Sequence, residues 1–248
     1  MRPIPDVLVA ERTGATQQSD ISHLIGNIWM NKEYYIMAIN EEFGCPAGFY
    51  HSVLAKDFEE VKADYGYNPW YAGPKRYGGT LPLLPEKLIL MEKNEYNYDV
   101  RKGADYFYVI SAGFARCLPE IKHNFSEIKR VDCVDSKGIA RNIRDVFIAI
   151  PKKFKAKNCL DISKSKQISP RGVEYESLHF KEDLDFDIFD IVNISSSQAS
   201  LICSEKAKKI FEDHGIRCVK YIPISDINAS MQSHMSELYK PVGFYDPV

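Results

Sequence analysis

The sequence has no long apolar run, almost no imbalance of charge and no close cysteine pair, and each absence excludes a class of protein. Nowhere in its 248 residues does it approach the roughly 18 consecutive apolar residues that a membrane-spanning helix needs. The stretch MRPIPDVLVAERTG has only one short apolar run, Val7 to Ala10. That is far less than the core of a signal peptide, so a cytoplasmic location is expected. Thirty-two basic residues stand against thirty-four acidic ones, a formal charge of -2. No global field therefore draws nucleic acid or an anionic membrane, and partner choice rests on local patches. The cysteines, at 45, 117, 133, 159, 203 and 218, form neither a C-x-x-C pair nor a zinc-binding spacing with histidine. They read as free thiols buried like small hydrophobes, and a disulfide framework is not expected in a chain of this size without an export signal. G-x-S-x-G, Walker A, H-E-x-x-H and G-x-G-x-x-G patterns are all missing. No catalytic residue, metal ligand or cofactor is assigned.

What is present is an ordinary core-forming composition, 45% hydrophobic, with strand and helix patterns interleaved. SDISHLIGNIWM has the look of a short capped helix, and YYIMAI (Tyr34 to Ile39) is a β-rich run. VLAKDFEEVKADY places Val53, Leu54, Phe58 and Val61 on one helical face. KLILME, DYFYVIS and RDVFIAIP read as strands, FARCLPEI as a helical turn broken by Pro119, and EIKRVDCV as a strand running into a turn at Ser136 to Gly138. The mixture lacks a regular βαβ rhythm. It predicts an α+β fold, a mixed and mainly antiparallel sheet with short helices packed on it. Residues 1–86 form an N-terminal α+β region ending in an aromatic loop, and residues 87–248 a second α+β region packed with it as one unit. Two segments also echo one another: ADYFYVISAGFARCLPEI before IKRVDCV, and FDIFDIVNISSSQASLICSEKAKKIF before IRCVKY, each an Asp/aromatic strand, a short helix and a Cys-Val strand.

The stretch ASLICSEKAKKIFEDHGIRCVKYIPI gathers Cys203, Ser204, Glu205, His214 and Cys218, the residue types of a catalytic site. Each also has a structural place. Ser204 is a helix N-cap and Glu205 faces the positive end of the helix dipole. Ala207, Ile210 and Phe211 make the apolar stripe, His214 falls in the last turn, and Gly215 is the residue that ends the helix. Framework is the better reading. Cys45 and a histidine such as His51, in GCPAGFYHS, offer a rival nucleophile and base for a hydrolase or transferase.

Three surface features remain. Tyr67, Trp70, Tyr71, Arg76 and Tyr77, in the Gly/Pro-rich stretch from Tyr65 to Pro85, are the kinds of side chain that anchor protein interfaces. Asp183, Asp185 and Asp187 alternate with Leu184, Phe186 and Ile188, which predicts an acidic strand face suited to steering a basic partner. PKKFKAK, Pro151 to Lys157, is basic, but it has too little aromatic character and arginine for a nucleic-acid site.

KNCLDISKSK, LHFKEDLDFDIFDI and LICSEKAKKIFEDHGIRCVKYIPI, preceded in order by ADYFY, FARCLPEI and DVFIAIP, together resemble a family of immunity proteins from bacterial polymorphic toxin systems. In that family a D-x-x-x-S segment follows a strand, and an acidic run leads into a closing strand, S-E helix, glycine and strand. The resemblance runs from about Leu88 to Ile224. Cys203 stands where valine is more usual, and the first eighty residues match less. It implies a non-enzymatic protein that binds and neutralises a cognate toxin domain encoded beside it, without cofactor, nucleic acid or membrane.

Overall fold

The computed structural model describes residues 32–40, 45, 52–59, 84–92, 97–103, 107–141, 144–152, 154–167, 175–192 and 201–226. The expected helix over SDISHLIGNIWM, and Tyr67, Trp70, Tyr71, Arg76 and Tyr77, lie outside them. In chain order the elements are β1 (Tyr34–Ile39), β2 (Ser52–Ala55), β3 (Ile89–Glu92), β4 (Val100–Lys102), β5 (Tyr108–Ser111) and α1 (Ala112–Cys117). A 3-10 turn at Leu118–Glu120 precedes β6 (Phe125–Val134), β7 (Val146–Pro151), β8 (Phe154–Lys155) and α2 (Ala156–Cys159). Then come β9 (Lys166–Gln167), β10 (Tyr175–Ser177), β11 (Ile188–Val192), β12 (Leu201–Ser204), α3 (Glu205–Asp213) and β13 (Val219–Pro223). The balance is mostly sheet, with few and short helices.

Two large sheets carry the fold. One has the order β13-β1-β12-β11-β8 and the other β2-β3-β6-β7-β5-β4, while β9 and β10 form a small ribbon. Most pairs are antiparallel, but β3 runs parallel to β6 and β11 parallel to β8. The strand period of two divides each central strand between two cores. In β1, Tyr35 and Met37 enter one cluster with Tyr108, Ile110, Leu201 and Cys203, whereas Tyr34, Ile36 and Ala38 enter another with Phe189 and Ile202. Phe107 and Val109, out of phase with Tyr108 and Ile110, join a third cluster with Leu90, Val131 and Ile148. The first cluster also contains Phe114 of α1 and Ala207 and Phe211 of α3, so both helices bury their apolar stripes in the layer the sheets share.

The structure contains a repeated unit, but not in the register of the sequence echo: β5, within DYFYVIS, corresponds to β12, LICS, and β11, within FDIFDIV, to β4. Each half has a hairpin, β4–β5 or β11–β12, whose second strand ends in a serine that caps a helix. Ser111 Oγ accepts from the Phe114 amide at 3.1 Å and Ser204 Oγ from the Ala207 amide at 3.3 Å. Each serine amide donates to the carbonyl of an aspartate just before the hairpin, Asp99 at 2.8 Å and Asp187 at 2.7 Å. Each serine hydroxyl donates to that aspartate's carboxylate. The strand orders also correspond, β4-β5-β7-β6 against β11-β12-β1-β13. The difference is connectivity: β7 follows β6 in the chain, whereas β1 reaches the equivalent place from far upstream. The two helices meet through the stacked rings of Phe114 and Phe211, 4.8 Å apart.

Two expectations need correction. Ser52–Ala55 is strand and not the start of a helix: Val53 faces Met91 and Leu54 faces Leu90 across the ladder, and cross-strand pairing outweighs the helical spacing of four apolar residues. The second concerns Cys45 and Cys218, which form a disulfide with Cα atoms 5.9 Å apart. The antiparallel pairing of β1 with β13 sets Ile39 opposite Val219, and the Asn40 amide donates to the Cys218 carbonyl at 3.2 Å. Residues just after β1 therefore meet residues just before β13, although 173 positions separate the two cysteines. Cys117, Cys133, Cys159 and Cys203 are free and buried.

Candidate functional site

The acidic segment sits where the second hairpin begins. Its chain turns at Glu182 and Asp183, closed by the Leu184 amide donating to the Lys181 carbonyl at 3.2 Å. Leu184 and Phe186 then point into the core beneath the five-stranded sheet. The Tyr34 hydroxyl lies within hydrogen-bond distance of the Leu184 and Phe186 carbonyls, at 3.2 and 3.3 Å. Alternation of side chains holds along this extended stretch, but the strand itself starts only at Ile188. The three aspartates do not share one exposed face. Asp183 is exposed, with no ion pair to a described residue. Asp185 is exposed and bound to Lys122.

Asp187 is only 4% exposed. Its carboxylate accepts from the Lys122 amide at 3.0 Å and the Ser204 hydroxyl at 2.8 Å, with the ammonium groups of Lys206 and Lys32 at 3.3 and 3.6 Å. Burial pushes this carboxyl up, but the two hydrogen bonds and the two lysines outweigh it and hold the group below its ordinary range. Asp187 is therefore part of the framework and is withdrawn from any partner-facing role. Glu182 lies 3.6 Å from Lys164, so the run is largely neutralised where it stands.

The C-terminal stretch has the framework geometry its sequence suggests. Cys203 is fully buried and desolvation raises its thiol far above the ordinary value. Ser204 is occupied by its cap. His214 Nδ1 lies 2.9 Å from the Ile210 carbonyl at the helix end, and Gly215 follows with φ +64°. The other free thiols are also desolvated, with Cys159 pushed up to about 11 and Cys133 to about 12. A nucleophilic cysteine needs the opposite environment. Cys45 is covalently paired in this structure, and His51 lies outside the described residues. No group of three or more metal-ligand side chains occurs among the described residues.

One feature went unnoticed in the sequence. Beside the β6–β7 hairpin lies an open groove of about 600 Å³, lined by Lys87, Arg130, Arg141 and Arg144 together with Asp132 and Asp145. Arg144 is fixed: its guanidinium donates to the Tyr98 carbonyl at 2.6 Å and to Glu92 at 3.2 Å, and it lies over the Tyr98 ring at 3.9 Å. Glu92 is held in turn by the Tyr98 hydroxyl at 2.8 Å. Arg130 pairs with Asp145 at 2.7 Å. These residues are scattered between positions 87 and 145, and only the hairpin brings them together. Of the basic run PKKFKAK, by contrast, Pro151 ends β7, Phe154 and Lys155 form the edge strand β8 and Ala156 and Lys157 begin α2, with Lys152, Lys155 and Lys157 exposed.

The segments that carry the family resemblance are neighbours in space. The Asp161 amide donates to the His179 carbonyl at 2.8 Å, the His179 amide donates to Ser165 Oγ at 3.0 Å, and β11 pairs with β12. Neither a protein-family profile nor a curated protein sequence matches the chain.

Proposed function

We propose that this chain is an immunity protein, one that binds a cognate toxin domain and neutralises it by protein–protein contact. The observation that carries the reading is the module just described. The D-x-x-x-S segment Asp161–Ser165, the acidic run and the strand, S-E helix, glycine, strand ending are packed together as a continuous framework, joined through His179 and through the Asp187–Ser204 contact. Cys203, Ser204 and His214, the residues of that ending that look catalytic, are used to hold the fold, which leaves recognition to surfaces. Tyr67, Trp70, Tyr71, Arg76 and Tyr77 supply the large, rigid, polar-tipped side chains from which interface anchors are made. Asp183 and Asp185 supply exposed negative charge near one end of the five-stranded sheet, with Asp185 shared with Lys122. The partner is the C-terminal toxin domain of an adjacent gene, and the complex acts in the cytoplasm of the producing cell.

Co-expression tests the proposal. The chain, produced with the toxin domain encoded next to it, should restore growth and co-purify with that domain through an interface of about 800 Å² per partner. Growth arrest that persists at matched protein levels, with no complex on gel filtration, would sink it. Trp70→Ala with Tyr71→Ala should weaken the complex by about a hundredfold or more, as the loss of two aromatic anchors does elsewhere.

A further inference from the structure

The groove beside the β6–β7 hairpin has a composition that selects its ligand. Among the described residues, four cations line it against two carboxylates. Arg144 is paired with Glu92 behind it and Arg130 with Asp145. Ile89 and Val134, on the same strand face as Asp132, add aliphatic surface to the groove. At the hairpin turn Ile139, next in sequence to the lining residue Ala140, is 62% exposed. That turn is rigid: Asp135 accepts the Lys137 and Ile139 amides at 2.8 and 2.9 Å, and the Asp135 amide donates back to the Ile139 carbonyl at 2.9 Å. The isoleucine is thus held out by a fixed scaffold and not by a loose end.

We infer that this groove binds an acidic, partly apolar polypeptide segment of the partner protein. A cleft of this volume is within the range that takes a specific ligand. Cationic side chains beside the aliphatic Ile89 and Val134 match a chain that alternates carboxylate and apolar side chains. Nucleic acid fits less well, because Asp132 and Asp145 interrupt the run of cations that a continuous phosphate backbone requires, and no aromatic side chain is among the described lining residues. Arg144 is the pre-set contact, since its plane is fixed before any ligand arrives. Arg130 exchanges its carboxylate partner from Asp145 to the incoming segment.

This assignment rests on the reading that the chain works by binding a protein, and its test is separable from that reading. The probe is a short fluorescent peptide of glutamate and leucine, titrated with the full chain in low salt and followed by anisotropy. The peptide should bind, a version with glutamine for every glutamate should bind at least tenfold more weakly, and affinity should fall as salt rises. Lys87→Glu with Arg130→Glu should reduce affinity about tenfold or more, and the milder Lys87→Gln with Arg130→Gln should give an intermediate loss if the reversal disturbs folding. Lys152→Glu with Lys155→Glu, on the basic run elsewhere, should leave binding unchanged. The inference is overturned if the glutamate peptide does not bind at millimolar concentration, if the glutamine version binds equally, if both Lys87/Arg130 variants bind like the parent, or if a short oligothymidine competes as well as the peptide. Rescue from the toxin is read independently, so failure of either result leaves the other interpretable.

Discussion

Asp187 joins three parts of the chain through a single carboxylate: the backbone at Lys122, the cap serine Ser204 and the lysines at 32 and 206. Asp187→Ala leaves the Lys122 amide and the Ser204 hydroxyl without their acceptor, and should cost about 1–3 kcal/mol in urea unfolding. Its ionisation also makes stability depend on pH. The folded carboxyl is held below its ordinary range, so the stabilisation is complete above an unfolded pKa of about 4 and is lost as pH falls through the lower folded value. Urea midpoints should therefore be level from neutral pH to about 5 and decline at lower pH, and Asp187→Asn should flatten that acid limb; an unchanged limb would contradict the assignment. Alternation alone placed Asp183, Asp185 and Asp187 on one face as equivalent acids. Leu184 and Phe186 do alternate with them, but periodicity cannot tell a carboxylate facing water from one facing another strand–helix junction.

At the scale of elements, the paired serine-capped units place their helices face to face, and Phe114 with Phe211 is the contact between them. A double-mutant cycle with Phe114→Leu and Phe211→Leu should return a coupling of about 0.5–1.5 kcal/mol from the stacked rings. Simple additivity would mean the rings merely share a core. Which elements were legible follows from how local their causes are. For α3, the cap, stripe and terminating glycine lie within twelve consecutive residues, Ser204 to Gly215, and its bounds could be read directly. For β2, Val53, Leu54, Phe58 and Val61 suggested a helix because the competing partner, β3, lies more than thirty residues away. Phe58 instead reaches the hairpin turn, where an added Cβ on Gly138 would come within 2.7 Å of its ring and φ is +79°. The groove was illegible for the same reason: its arginines belong to no motif and converge only when β6 pairs with β7.

Over the whole molecule, the disulfide closes the longest loop that any described cross-link could form here, and the cysteines' role was invisible because topology alone brings them together. Reduction, or Cys45→Ala with Cys218→Ala, should lower unfolding free energy by about 2–4 kcal/mol, measured in urea with and without reductant. No difference would indicate that the β1–β13 pairing suffices. Bonds of this kind persist in oxidising compartments, so alkylation trapping from native cells, which separates paired from free thiols, also tests the proposed cytoplasmic site of action.

The place of β1 between β12 and β13 has a consequence for the order of events on the ribosome. Every strand of the six-stranded sheet is encoded by Pro151, whereas both neighbours of β1 are encoded after residue 200. At a synthesis rate of about 5–20 residues per second, β1 emerges roughly 10 to 30 seconds before its first partner. During that interval neither of its strand partners exists. The six-stranded sheet is free to form first and offers Tyr108 and Ile110 to the Tyr35 and Met37 face of β1, while the Tyr34 and Ile36 face waits for Phe189 and Ile202.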